Sequence, residues 1–282
     1  KGSGRKEEEH MMVTLKNDRL TVQIDTLGAE LQAITGIDGT EYLWDGDEKY
    51  WGNRATNLFP YVGRLTNQTY TVGGKAYQMG IHGFLRHQET EPRDVTDTHV
   101  LFETRDTPDT LAQYPFPFVM GVDYLLDGDT LHIAYRVRNT GKTTMYFGVG
   151  GHPGFRVPLE KGLRFEDYAL AFEGESRRCL LSDNYAITGQ TEPFPLAEGV
   201  LPLRHALFDH APSLCATRIC PTWACGTSRT ATRPMYAWSP GSACPPARAW
   251  WRPLRPSPAW CTWPPARHMR MPGAFSLRKP YH

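Results

Sequence analysis

Between residues 13 and 175, apolar and polar side chains repeatedly alternate with a period of two, and no long stretch repeats with the period of a helix. A β-strand sends successive side chains to opposite faces, so this pattern describes strands with one face in a core and the other in solvent. Leu20, Val22 and Ile24 alternate with polar neighbours. Leu131, Ile133, Tyr135 and Val137 alternate with His132, Ala134, Arg136 and Arg138, and Tyr168, Leu170 and Phe172 repeat the pattern. Thr69 to Tyr77 predicts a hairpin around Gly73-Gly74, and Asp127-Gly128 and Asp38-Gly39 predict further tight turns. Leu27 to Ile34 fits a short helix or another strand equally well. Short strands punctuated in this way predict an all-β sandwich or barrel rather than βαβ units. A chain of 282 residues suffices for one large all-β domain or two average ones.

The alternation gives way to a stretch of different chemistry. Ala211 to His282 contain no aspartate or glutamate, whereas the first 210 residues hold all 30. The same tail holds 13 of the 23 prolines, 6 of the 8 tryptophans and 5 of the 6 cysteines. Globular sequences ordinarily intersperse both signs of charge. The two parts therefore differ in origin or in physics, and a function that needs a carboxylate must find it before residue 211. The body carries 21 basic and 30 acidic groups, a net of −9 that argues against nucleic acid as its partner. There is no run of 18 apolar residues, so no membrane association is expected. Residues 1–10 are charged, lack the apolar stretch of a signal peptide and read as an upstream extension or tag. Cys179 is the only cysteine of the body, which fits a reducing compartment, and a cytoplasmic monomer or homodimer is expected.

Three polar clusters interrupt the strands. They are Asn57 to Asn67, which contains Gly63-Arg64; Gly80-Ile-His-Gly-Phe-Leu-Arg86; and Gly148-Val-Gly-Gly-His-Pro-Gly-Phe155. Glycines beside a polar side chain let the backbone turn and let a ligand come close. A histidine there is a natural proton donor or acceptor near neutral pH. Singly, His82 and His152 read equally well as turn histidines bonded to backbone.

Together, the order and wording of these clusters resemble the aldose 1-epimerase (galactose mutarotase) family over about residues 12–210. Tyr114-Pro-Phe-Pro-Phe118, Tyr124 and the strand to Asn139 add to the likeness. The resemblance implies a large antiparallel β-sandwich, the galactose mutarotase-like supersandwich, acting on a small-molecule sugar without metal or cofactor. It implies that His152 is the acid that protonates the ring oxygen and that His82 is a catalytic partner. It places Arg64 and, at the end of the body, Asp209 against the sugar; Asn57 is a further substrate-binding candidate that also reads as a structural or rim residue. Trp51 and Arg86 read as structural or rim residues. The family's base is a glutamate of the C-terminal third, usually in a Glu-Pro-Trp sequence, and no such glutamate is printed here. A non-catalytic carbohydrate-binding sandwich is the alternative.

The tail accounts for that loss when it is read one base out of step. The codons of Ile219–Thr230 then permit Pro-Tyr-Leu-Gly-Leu-Trp-His-Lys-Pro-His, and those of Thr232–Gly241 permit Ala-Pro-Tyr-Val-Cys-Leu-Glu-Pro-Trp. The glutamate would span Trp238 and Ser239, and both strings are similar to motifs of the family's missing third. Residues 211–282 are therefore expected to be an out-of-frame tail rather than a native domain, and catalysis is expected to be impaired. A zinc site at Cys215, Cys220 and Cys225, a basic nucleic-acid-binding tail and a disordered tail are the competing readings.

Overall fold

The computed structural model describes residues 10–171, 175–181, 187–194, 196–197 and 200–208, and five strand segments beyond them; for 171, 175–181, 187–189, 191, 208 and those five segments it describes the backbone alone. The expectation of an all-β protein holds. Strands β1 (Met12–Lys16), β2 (Leu20–Asp25) and β3 (Leu31–Gly36) form one antiparallel sheet. Leu20, Val22 and Ile24 of β2 are buried, as their spacing requires. The ambiguous Leu27–Ile34 stretch is a turn followed by β3. Gly28 and Ala29 both adopt positive φ, which ends any helix.

β4 (Ala55–Leu58) leads to the hairpin of β5 (Thr69–Val72) and β6 (Lys75–Gln78). Gly73 and Gly74 take φ of +56° and +82°, the conformation that a two-residue hairpin turn demands. β7 (Glu91–Arg93), β8 (His99–Arg105), β9 (Phe118–Asp127) and β10 (Thr130–Asn139) follow as a meander, with β9 and β10 joined through Gly128 as predicted. Leu131, Ile133, Tyr135 and Val137 face the core. The single α-helix among the described residues, α1 (Pro108–Gln113), is capped by Thr107 and Thr110, whose hydroxyls accept each other's backbone N–H at 3.2 and 2.8 Å.

β11 (Met145–Phe147) and β12 (Gly150–Arg156) carry the third cluster. β13 (Ala169–Ala171), β14 (Glu175–Leu181), β15 (Ile187–Pro193) and β16 (Val200–Pro202) complete the body. Past residue 211 the backbone forms β17 (Ser213–Thr217), β18 (Trp223–Gly226), β19 (Met235–Pro240), β20 (Cys261–Trp263) and β21 (His268–Ser276). The larger sheets run β21-β10-β9-β8-β7 and β18-β19-β12-β4, so β10 and β12 each pair with one body strand and one tail strand. Asp209 and Cys220 lie outside the described residues.

Phe59, directly after β4, is the hub of the core. It is fully buried, and its ring lies 5.1 Å from Phe118, 5.9 Å from Phe147, 6.0 Å from Tyr114 and 6.2 Å from Phe84. Each such pair adds about 0.5–1.5 kcal/mol beyond area burial. This cluster brings all three polar segments of the sequence to one place.

Candidate active site

The backbone around Phe59 sets the position of both histidines. Its carbonyl accepts the N–H groups of Phe84 and Leu85 at 3.0 and 3.2 Å, and a parallel bridge joins Phe59 to Gly83. A Cβ on Gly83 would stand 2.3 Å from the Phe59 oxygen, and its φ is +74°. Only glycine fits, which explains the residue after His82. His82 itself takes φ of +65°, a conformation uncommon outside glycine and typical of functional turns. It is doubly pinned: its N–H donates to the Gly63 carbonyl at 2.9 Å, and the Gly63 N–H donates to its Nδ1 at 3.0 Å. A ring nitrogen that accepts carries no proton, so neutral His82 holds its hydrogen on Nε2.

On the other side of Phe59, β4 pairs antiparallel with β12, which sets Asn57 against Gly151 and Thr56 against His152. The two imidazole rings come to 5.5 Å of each other, and the indole of Trp51 lies 5.1 Å from that of His152. Nδ1 of His152 is buried and has no hydrogen-bond partner among the described residues. A buried nitrogen without a partner is costly unless a ligand or water completes it.

Both histidines are held neutral. Burial lowers His82 to about 3, with His152, Arg86 and Arg64 adding to the effect. Burial lowers His152 to about 4; its own backbone pulls the other way and Arg86 reinforces the fall. Arg64 is exposed on the turn after Gly63, and Arg86 donates through Nε to His87 Nε2 at 3.0 Å. No carboxylate is among the groups that act on either imidazole. A carboxylate facing the pair would raise the proton affinity of both rings. Among the described residues none does, and in the free chain both rings offer a hydrogen-bond donor and an acceptor.

The structure thus brings His82, His152, Arg64 and Arg86 to one region. It gives Asn57 a different task from the sugar contact expected of it. Asn57 is 2% exposed; its Nδ2 donates to the carbonyls of Gly28 and Ala29 and to the Tyr124 hydroxyl, and its Oδ1 accepts from the Tyr135 hydroxyl at 2.8 Å. Every polar atom of its side chain is used inside the protein, so it braces the strand behind His152. The rim residues Trp51 and Arg86 instead stand closest to the histidines in effect. The only sequence signal for Trp51 is Gly154, whose missing side chain makes room for the indole. Among the described residues no group of three His, Cys, Asp or Glu could hold a metal, and no helix is long and apolar enough to cross a membrane.

Comparison with known proteins bears on the family and the fold. Residues 11–211 match the family model described as aldose 1-epimerase. The chromosomal protein LacX of Lactococcus lactis subsp. lactis is 36% identical over 212 residues, spanning 71% of this chain and 70% of that protein. A galactose mutarotase related enzyme from Lactobacillus acidophilus superposes with a TM-score of 0.86 at 26% identity, over 95% of this chain and 98% of its own. A galactose mutarotase-like protein from Lactobacillus casei gives a TM-score of 0.80 at 25% identity, over 93% and 98% of the two chains. A family model covering well over half of the chain, a LacX relative above 30% identity and the shared antiparallel architecture lead to one conclusion: this chain belongs to the aldose 1-epimerase family and has the galactose mutarotase-like fold.

Proposed function

We propose that this chain binds an aldose at His82 and His152 and keeps the hydrogen bonds to the sugar that anomer exchange uses, while the base is lost with the glutamate of its C-terminal third. Exchange of anomers opens the sugar ring: the C1 hydroxyl gives up a proton while the ring oxygen gains one, and closure on the other face of C1 reverses both transfers. His152 faces the ring oxygen as donor, His82 offers its Nε2 hydrogen, and the Arg64 guanidinium binds sugar hydroxyls. The observation that carries the reading is the pair of buried neutral imidazoles at 5.5 Å, one with an unpartnered Nδ1, in a member of this family.

The pairing of β12 with β19 supports the loss of the base. Arg156, Phe155 and Gly154 stand opposite Met235, Tyr236 and Ala237. Carried two pairs further, that register sets Ser239 opposite His152. The glutamate permitted by the shifted frame spans Trp238 and Ser239. The same absence of acids favours a second reading, in which the cleft binds sugar without turning it over.

Anomer exchange by saturation-transfer NMR tests both. The chain as printed should bind aldose, seen as movement of the His82 and His152 resonances, yet exchange anomers little faster than buffer. Ser239→Glu should speed exchange by about 10²-fold or more, the usual worth of one positioned proton transfer. Fast exchange by the unaltered chain would overturn the lost base, and histidine resonances indifferent to sugar would overturn the site.

A further inference from the structure

Trp51 has no part in the roles assigned above, yet several features of the fold converge on its placement. It lies in the segment between β3 and β4, where its N–H donates to the Asp47 carbonyl at 2.9 Å. Its own carbonyl accepts from Nε1 of Trp44 at 2.8 Å, and Trp44 is 3% exposed. The indole is therefore anchored from the core rather than left on a loose loop. Two residues beyond His152, on the same face of β12, stands Gly154. A Cβ there would lie 3.1 Å from Cζ3 of Trp51 and 3.0 Å from Cβ of Trp44. The strand thus leaves a gap into which Trp51 fits, and the indole lies 5.1 Å from the His152 ring at an interplanar angle of 58°.

We propose that Trp51 is the positioning residue for His152: its ring covers the imidazole, keeps water from it and fixes the face it presents to the sugar. A half-buried indole suits the task, since one side seals the histidine while the rest borders the cleft. The charged group that acts on His152 is Arg86, and His152, Arg86 and Arg64 act on His82. All of them disfavour a second positive charge, so dryness and these cations work together on His152. Trp51 supplies the dryness.

The inference rests on His152 as a site residue, and its test reads the imidazole directly, separately from anomer exchange. Histidine ring resonances of the full chain are followed from about pH 7.5 to about pH 3, with His152 identified by His152→Gln. In Trp51→Ala the midpoint of His152 should rise by about one to two pH units, ten- to hundredfold in proton affinity. In Trp51→Phe, which keeps an aromatic cover, it should stay within about half a unit of the parent. An unchanged midpoint in Trp51→Ala overturns the proposal, as does a rise as large in Trp51→Phe as in Trp51→Ala. A readout that needs no truncation uses the parent labelled with 5-fluorotryptophan. The fluorine resonance missing from Trp51→Phe should move with the midpoint of His152, and a Trp51 signal flat through that range also overturns the proposal.

Discussion

Acidification should unfold this protein through its own active site. His82 and His152 sit at about 3 and about 4 in the folded chain, against an ordinary value near 6.5 that they regain on unfolding. A base whose proton affinity is suppressed by folding binds more protons when unfolded. Stability is therefore fully present above about pH 6.5 and falls as pH drops toward the folded midpoints. At about pH 5 each histidine is largely charged in the unfolded chain and neutral in the folded one. Each then costs about 2 kcal/mol, and the pair about 4 kcal/mol, a large share of the 5–15 kcal/mol typical of a domain. Urea unfolding at about pH 7.5 and about pH 5 measures the loss. Replacing both residues in His82→Asn/His152→Asn should remove about 4 kcal/mol of the pH-dependent difference while leaving the contribution of the carboxylates in place. If the double variant loses as much stability between the two pH values as the parent, burial of the imidazoles does not set their protonation and the reasoning fails.

Two further predictions follow from the scaffold of the site. Gly83→Ala should cost about 3 kcal/mol or more, because a Cβ 2.3 Å from the Phe59 carbonyl adds a collision to the penalty of positive φ; Gly74→Ala, with open space at φ of +82°, should cost only about 1–2 kcal/mol. Equal losses in thermal or urea unfolding would mean that the close approach at Gly83 does not govern that turn. Asn57→Ala should destabilise by about 2–4 kcal/mol, since it strands the Tyr135 hydroxyl and the Gly28 carbonyl in the core. Sugar affinity of the folded fraction, followed by NMR titration, should change little; a stable variant with weakened binding would return Asn57 to the cleft.

Much of this was readable in the chain because strand alternation and glycine turns are local. Leu20 to Ile24 and Leu131 to Val137 show their buried faces through spacing alone, and Gly73-Gly74 marks its hairpin through the conformations that glycine allows. His82 and His152 stood out through the glycines beside them, and the structure supplies the reason at Gly83, where no side chain fits. Leu27 to Ile34 was ambiguous because an apolar run this short satisfies both periods; the positive φ of Gly28 and Ala29 decides it. Asn57 stayed open between a sugar contact and a structural task because a polar residue beside a ligand-like cluster looks the same whether it faces a sugar or a buried tyrosine. Trp51 read only as a structural or rim residue because its partner lies on a strand far along the chain, and such contacts leave no local pattern. The acid-free tail is legible as composition, but its side chains fall outside the described structure.

The Phe59 carbonyl that accepts Phe84 and Leu85 also ties the His82 turn to a strand that holds His152 in register on its other edge. The separation of the imidazoles is therefore set by the interior aromatic cluster and not by the loops that face solvent. Such a site is built before its ligand arrives and has little freedom to close around it. Relatives that differ in sugar preference would be expected to differ at Trp51, Arg64 and Arg86, which can change without disturbing the cluster. A substitution deep at Phe118 or Phe147 would instead be felt as a change in the distance between two proton-handling groups.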